Sequence, residues 1–433
     1  MDTFLTKKRK LPTEGASHPE EDNETTDVKL AILSSLHPDI DQSTLLDVLI
    51  AHDGSVAEVS AVLKSGIPQR KSSGPSGYQS SLRHFAQKGG EHDVSSPSKK
   101  KLISKKGTTM YLYDPVDVAE HTPCTIIHNF LPPEDANGLL REMLEESKTF
   151  EKITFKLFEN VVASPHTSGF YVESYEEIRA QKTAYHYNGA RLTDVRRITP
   201  HLQKIKPTIQ AAVNKEIEAR IATHYPNARK LKYQSPKPWV PNAAFVNCYD
   251  GPKESVGWHS DQLTYLGPRA VIGSLSLGVA REFRVRRILP KDGAGSDGAA
   301  DSTGDAEGQI SIHLPHNSLL VMHAEMQEEW KHSISAAQAI EPHPIAGNKR
   351  INVTYRHYRS SLHPSLTPRC KCEIPCVLRV ARRKRDSFGK YFWMCHSGNL
   401  PGKDACSFFE WAEFDDDGDP IWRKKTGRPS KAS

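Results

Sequence analysis

The run that most restricts how this chain can fold is Arg350-Ile351-Asn352-Val353-Thr354-Tyr355-Arg356. Side chains alternate across a strand, so residues 350, 352, 354 and 356 share one side, while Ile351 and Val353 lie on the other. All four on the first side are polar, and two are arginines. Turned into a dry core, such a row would carry a heavy desolvation penalty unless it met a bound anion. Turned outward, it would be a solvent-facing amphipathic strand, and the heptad alone does not choose between the two. If the polar side points inward, its guanidinium forks suit the carboxylates of a dicarboxylic oxo acid.

A second pattern makes the inward reading attractive. In His259-Ser260-Asp261 two possible metal ligands are spaced i, i+2, which on an extended segment puts both on one side. A histidine from a distant strand would complete a set of two imidazoles and one carboxylate, leaving positions open on Fe(II) for oxygen and a bidentate oxo acid. The spacing by itself decides nothing, since His37-Pro38-Asp39 repeats it in a segment with helical periodicity. For the third ligand His313, His316, His323, His332 and His343 all compete.

The chain has 433 residues, more than one usual domain, and only 37% of them are hydrophobic. Ordered domains joined by polar segments are therefore expected. Residues 27–66 show three short apolar bursts: Val28, Ile32, Leu33 and Leu36, then Leu45, Leu46, Val48 and Leu49, then Val56, Val59, Val62 and Leu63. Breaks at Pro38 and Asp53-Gly54 make a three-helix bundle. A polar stretch rich in Ser, Gly, Lys and Pro follows over 67–107 and reads as a disordered linker, as 1–26 reads as a basic disordered N-terminus. From about Met110 the texture turns to short strands and one clear helix. Ile126, Ile127, Phe130 and Leu131 read as a strand; Pro132-Pro133-Glu134-Asp135 starts a helix with Leu139, Leu140, Met143 and Leu144 on one face. β-rich runs at 243–248, 270–279, 282–287, 318–322 and 351–355, separated by turn-forming residues, suggest a jelly-roll core, interrupted over 291–309 by a surface insertion.

Here the residues point to a family. Asn247-Cys248-Tyr249, Trp258-His259-Ser260-Asp261, a later histidine and the heptad from Arg350 to Arg356, in that order, resemble the AlkB nucleic-acid dioxygenases over about 250 residues. The resemblance implies a multidomain α+β chain whose domain at 108–360 is a double-stranded β-helix with flanking helices. It implies that Fe(II) is held by His259, Asp261 and His332. The last is chosen because Lys331-His332-Ser333-Ile334 starts a strand at the spacing the family uses before its arginine heptad. It further implies that 2-oxoglutarate is held by Asn247, Tyr249, Arg350, Asn352 and Arg356, with Arg350 on the distal carboxylate and Arg356 near the metal-proximal end. The implied reaction is oxidative dealkylation of N-alkylated nucleobases in DNA, releasing formaldehyde, succinate and CO2. Tyr185-His186-Tyr187-Asn188-Gly189 resembles the family's recognition lid, which makes Tyr185 and Tyr187 substrate-binding, with Tyr187 and the His259 ring on the two sides of a flipped or single-stranded base. RNA or protein demethylation on the same fold, or a scaffold with a decayed iron site, are the rival readings.

Five of the seven cysteines lie between Cys370 and Cys406, a crowding that favours a metal site over disulfides in an intracellular chain. Cys370-Lys371-Cys372, Cys395 after Gly389-Lys390-Tyr391-Phe392, and Cys406 resemble a GRF-type zinc finger over 369–414, which implies structural Zn(II) on these four thiolates. Cys376 is then spare and His396 a lesser ligand candidate. Arg379, Arg382, Arg383, Lys384, Arg385 and Lys390 mix with Phe392 and Trp393, and positive charge beside exposed rings is a composition suited to single-stranded nucleic acid; fold packing of the aromatics is the plain alternative. In this reading the finger tethers DNA, and its unfolding would spare basal turnover. Within the basic tail at 415–433, residues 424–431 resemble an AT-hook. Leu36-His37-Pro38 with Asp53-Gly54-Ser55-Val56 resembles a CUE domain, implying ubiquitin binding through 27–66, and Gln79 to Phe85 resembles a peptide that docks on the replication clamp. No stretch approaches the roughly 20 apolar residues of a membrane span. Basic runs at Lys7 to Lys10, Lys99 to Lys106 and Arg423 to Lys425, within a net charge of +6, place the expected protein in the nucleus.

Overall fold

Strands that are apolar on both faces need partners on both, and in a computed structural model the chain answers with two facing sheets and helices laid against one of them. The structure describes residues 33, 45, 48–49, 55–64, 78–79, 108–157, 160–187, 191–290, 308–399 and 406–422. Leu36-His37-Pro38, the basic runs, residues 80–85 of the clamp-like peptide, most of the 291–309 insertion and the AT-hook-like segment lie outside them.

The N-terminal unit contains α1 (Val56–Lys64), and Leu33, Leu45, Leu49, Val59 and Leu63 share one buried cluster. Val62, read as part of that stripe, is instead 40% exposed, because it lies one position off the 59/63 spacing that reaches the cluster.

The second unit runs through β1 (Thr109–Leu112), β2 (Cys124–Ile127), α2 (Pro133–Glu146), β3 (Thr167–Val172), α3 (Tyr175–Thr183), β4 (Val195–Arg197) and α4 (Pro200–His224). It continues with β5 (Ala243–Asp250), β6 (Val256–His259), β7 (Ile272–Gly278), β8 (Arg281–Arg287), β9 (Gln309–Leu314) and β10 (Ser318–Met322). After these come α5 (Met326–Glu329), β11 (Trp330–Ile334), β12 (Lys349–Arg356), β13 (Val377–Val380), β14 (Tyr391–Met394) and β15 (Phe409–Trp411). The major sheet has the order β2-β10-β7-β12-β5-β3-β4, and the minor sheet β1-β9-β8-β11-β6, with Tyr78–Gln79 paired beyond β1. Strands β13, β14 and β15 form a separate antiparallel sheet.

The polar row of the arginine heptad faces inward. Antiparallel pairing sets Arg350 opposite Tyr249 and Asn352 opposite Asn247 on one side, and Ser276 opposite Asn352 on the other. The opposite face, with Ile351, Val353, Val246, Leu275 and Leu277, packs against Leu139, Leu140 and Met143 of α2 and Leu202, Ile205, Ile209 and Val213 of α4. Burying each of these aliphatic side chains contributes about 1.5–3 kcal/mol. Strand β7 ends at Gly278, whose φ of 84° and whose approach to the Lys349 carbonyl, 2.4 Å from an added Cβ, leave no room for a side chain.

Two expectations from the sequence need correcting. Phe130 and Leu131 do not continue β2: the strand stops at Ile127, Asn129 takes a left-handed conformation (φ 48°), and both following amides are held by Asn317. Nor does the expected helix, α2, stand alone. α3 opens on a capping box between Ser174 and Glu177, and α4 runs 25 residues with Pro207 inside it. Pro207 removes one helical hydrogen bond without ending α4, because the apolar face on either side of it is buried on the major sheet. Among the described residues no helix is long and apolar enough to cross a membrane.

Leu275→Ala, at the centre of the helix-covered face, is expected to lower the unfolding free energy by about 3 kcal/mol. Denaturant titration followed by circular dichroism checks this.

Candidate active site

His259 closes β6, and its cross-strand partner on β11 is His332, so pairing alone places the two imidazoles side by side, their rings 4.2 Å apart. Asp261 follows two residues later. Its Oδ1 lies 3.7 Å from His259 Nε2 and 3.5 Å from His332 Nε2, and one ligand atom from each of the three falls within 4.8 Å of the others. The His259 Nδ1–H donates to the Gly257 carbonyl at 2.8 Å, which turns the Nε2 lone pair toward the cluster. Burial, then the neighbouring His332, pushes the His259 imidazole down to about 4, so it is neutral and ready to ligate at neutral pH. Burial would raise the Asp261 carboxyl, but Arg356 and the two histidines outweigh it and hold the group far below the usual carboxylate range. Two imidazoles and one carboxylate, with one side of the cluster free of further ligands among the described residues, are a donor set suited to Fe(II).

Arg356 stands at the metal-ligand end of the row: its Nε and Nη2 both donate to Asp261 Oδ2, at 2.9 and 2.6 Å. The two guanidiniums therefore do different work. Arg350 is 1% exposed and donates from Nη2 to Ser276 Oγ at 2.8 Å; among the described residues its Nε and Nη1 have no hydrogen-bond partner, nor does Asn247 Oδ1. Burial lowers the Arg350 guanidinium to about 10, still charged at neutral pH. A buried cation with two unmet donors is what the carboxylate of a bound oxo acid would satisfy. Tyr249 lies under Arg350, 5.2 Å from guanidinium to ring, and Asn352 is tied to Ser274 Oγ at 2.8 Å, so it braces the pocket.

The other candidate histidines are engaged elsewhere. His323 is buried against Thr125 Oγ1 at 3.0 Å, His313 meets Glu282, His316 accepts the Gly278 amide, and His343 accepts the Ile345 amide.

Tyr187 donates its hydroxyl to Gln181 Oε1 at 2.7 Å, and its ring packs beside Phe170, Tyr265 and Tyr358. Tyr185 is buried among Tyr265, Tyr358 and His363, lining a cavity of about 320 Å³. Asn188 and Gly189 fall outside the described residues. Phe170, Tyr265 and Tyr358 were not singled out from the sequence, nor were His166, stacked on Tyr249 at 4.8 Å, and Arg281, whose guanidinium donates to the Gly251, Glu254 and Ser335 carbonyls. Tyr358 alone left a signal, standing two residues beyond Arg356.

In the finger, the Sγ atoms of Cys370, Cys372, Cys395 and Cys406 lie within 4.8 Å of one another, a four-thiolate set that suits tetrahedral Zn(II). Burial opposes ionisation of Cys395, yet hydrogen bonds from Ser397 bring its thiol down to about 6. Cys376 and His396 stand outside the set; His396 Nε2 donates to the Pro375 carbonyl at 3.1 Å. The pairing of exposed Phe392 and Trp393 needs correcting: neighbours on a strand face opposite ways, and Trp393 is 3% exposed in the core. On the outer face Arg379 pairs with Phe392 and Phe392 with Trp411, which is 44% exposed, while Phe409 stacks on Phe392 at 5.0 Å. The inner face carries Leu378, Tyr391 and Trp393 into one hydrophobic cluster with Leu263, Leu266 and Ile272, so the finger is part of the same body as the sheets and not a detached tether.

The profile of the 2OG-Fe(II) oxygenase superfamily matches residues 123–356, and that of the GRF zinc finger matches residues 368–415. DNA oxidative demethylase ALKBH2 of Arabidopsis thaliana is 34% identical over 124 residues, which cover 27% of this chain and 37% of that protein. Alpha-ketoglutarate-dependent dioxygenase alkB homolog 3 of Homo sapiens is 32% identical over 116 residues, covering 27% of this chain and 36% of that protein. The matched stretch is thus little more than a third of either relative's length. Among solved structures, OsALKBH1 aligns with a TM-score of 0.36 at 14% identity, over 55% of this chain and 98% of that one.

Because finger and sheets share a core, Cys395→Ser is expected to lower the thermal midpoint of the oxygenase sheets as well as of the finger, in one transition. Scanning calorimetry with limited proteolysis checks it; a separate early transition confined to 368–415 would contradict the shared core.

Proposed function

Since the chain belongs to the 2OG-Fe(II) oxygenase superfamily, we propose that it oxidatively removes small alkyl groups from ring nitrogens of nucleobases in DNA. One observation carries this reading: ligand atoms of His259, Asp261 and His332 lie within 4.8 Å of one another, and Arg356, from the other sheet, donates twice to Asp261 from the same inward-facing row of β12 that carries Arg350. The names of the relatives, a DNA oxidative demethylase and an alkB homologue, support the substrate class.

In this reading His259, Asp261 and His332 hold Fe(II). Arg356 occupies Asp261 Oδ2 and so leaves Oδ1, the oxygen facing both imidazoles, as the ligating atom. Arg350 takes the distal carboxylate of 2-oxoglutarate on the two donors that lack partners, with Asn247 and Tyr249 beside it. What Fe(II) and 2-oxoglutarate supply when bound is oxidation of the alkyl carbon, coupled to conversion of the oxo acid to succinate and CO2, after which the hydroxymethyl group leaves nitrogen as formaldehyde. The tyrosine cluster around Tyr187 excludes water from one side of the site and offers a ring to an unstacked base, the other side being the His259 imidazole. Arg379, Phe392, Phe409 and Trp411 give the finger a cationic, aromatic outer face on which successive bases of a single strand can stack.

Arg350→Lys keeps the charge but loses the fork, and is expected to weaken 2-oxoglutarate binding by about 2 kcal/mol, about thirtyfold; calorimetric titration of the oxo acid reads it. Formaldehyde release from oligonucleotides each bearing one methylated base, set beside methylated RNA and methylated peptide, tests the substrate class. Turnover on DNA is expected, and turnover on peptide alone would overturn the proposal.

A further inference from the structure

The inner face of the finger does more than fill the core, because two of its side chains reach the short helix that precedes an iron-site strand. Arg382, in the turn after β13, donates from Nε to the Glu328 carbonyl at 3.2 Å and from Nη2 to the Gln327 carbonyl. Tyr391 donates its hydroxyl to Glu328 Oε1 at 2.9 Å, and the Leu378 amide donates to Thr264 Oγ1 at 3.2 Å. Gln327 and Glu328 belong to α5, whose four residues run straight into β11 and hence His332. Gln327 is fully buried, and its Oε1 accepts the Asp261 amide at 2.6 Å. One residue therefore separates the finger's guanidinium from the backbone of a ligand. A second clamp lies nearby: Arg359, three positions beyond Arg356, donates to the Gly418 carbonyl at 2.6 Å and to the Pro268 carbonyl at 3.3 Å.

We propose that Arg382 and Tyr391 are positioning residues for the iron site, acting through Gln327 on Asp261 and through α5 on His332. The proposal rests on the reading of His259, Asp261 and His332 as iron ligands. A four-residue helix has too few internal hydrogen bonds to hold its own shape, and its last carbonyls have no partners within it. The Arg382 fork takes two of those carbonyls at once, and Tyr391 fixes the adjacent carboxylate. Freed of them, α5 can shift, and both the acceptor of the Asp261 amide and the start of β11 shift with it. The pairing of β13 with β14 brings Arg382 and Tyr391 to α5 together, so the fold of the finger bears on how the ligands of the oxygenase site are held.

Mn(II), a stand-in that resists oxidation, can be titrated into the full chain in the presence of 2-oxoglutarate, with free Mn(II) read by electron paramagnetic resonance and bound zinc by elemental analysis. Groups outside the ligand shell change metal affinity by roughly 10–100-fold when they touch a ligand directly. One step further out, Arg382→Ala is expected to weaken Mn(II) binding about fivefold, with zinc and circular dichroism unchanged. Arg382→Lys, able to reach one carbonyl but not two, should recover part of the loss. Tyr391→Phe removes a single oxygen, leaves the cysteines and core intact, and should weaken Mn(II) binding in the same direction. Wild-type Mn(II) affinity in both Arg382→Ala and Tyr391→Phe, with zinc retained, would overturn the coupling. Failure of the unsubstituted chain to bind Mn(II) any better than His332→Ala would overturn the iron reading itself, a different result from the first.

Discussion

The Asp261 carboxylate is the point on which the two sheets meet. It hangs just beyond β6 of the minor sheet, yet its Oδ2 takes both donors from Arg356 at the end of β12 in the major sheet. Its Oδ1 is left to the imidazoles of β6 and β11. A buried carboxylate would ordinarily take up a proton, and the close guanidinium, together with the two imidazoles, keeps it ionised here. The charge that makes a metal site possible thus depends on register in two sheets at once. Slippage of β12 by one residue would turn Ile351 and Val353 inward and leave Asp261 without its cation.

Much of this was legible from alternation. The polar face of residues 350–356 could be solvent-facing or inward, and what decides it in three dimensions is the helix layer: Ile351 and Val353 lie under α2 and α4, which leaves the arginines facing the other sheet. The Cys-x-Cys pair and the two later cysteines gather as their types suggest. Residues with no local pattern stayed hidden. His166, in the bend before β3, and Arg281, at the start of β8, reach Tyr249 from distant parts of the chain, and Tyr265 reaches Tyr185 and Tyr187 across a long stretch of sequence. α4 was obscured by Pro207, a residue that stops isolated helices but not one whose apolar face is covered on both sides of it. The double hydrogen bond from Arg356 to Asp261 left no trace in residue type, since it depends on distances.

The finger shows most plainly how tertiary packing overrides a modular reading of the chain. Cysteine spacing identifies a small metal-dependent unit, and such units are commonly autonomous. Here one face of its three-stranded sheet is spent on the oxygenase core through Leu378, Tyr391 and Trp393, and only the other, with Phe392, Phe409 and Trp411, is left for a ligand. The same strands therefore answer to two constraints, and alternate residues along β14 serve opposite purposes. Substitutions at Tyr391 or Trp393 therefore disturb the shared core, while those at Phe392 fall on the outer face.

Among the described residues β6 is paired on one side only, and its pairing with β11 shifts register just past His332. Of the two imidazoles, that of His259 is 39% exposed and that of His332 only 6%, so whatever reaches the cluster from solvent meets the ring on the singly paired strand first.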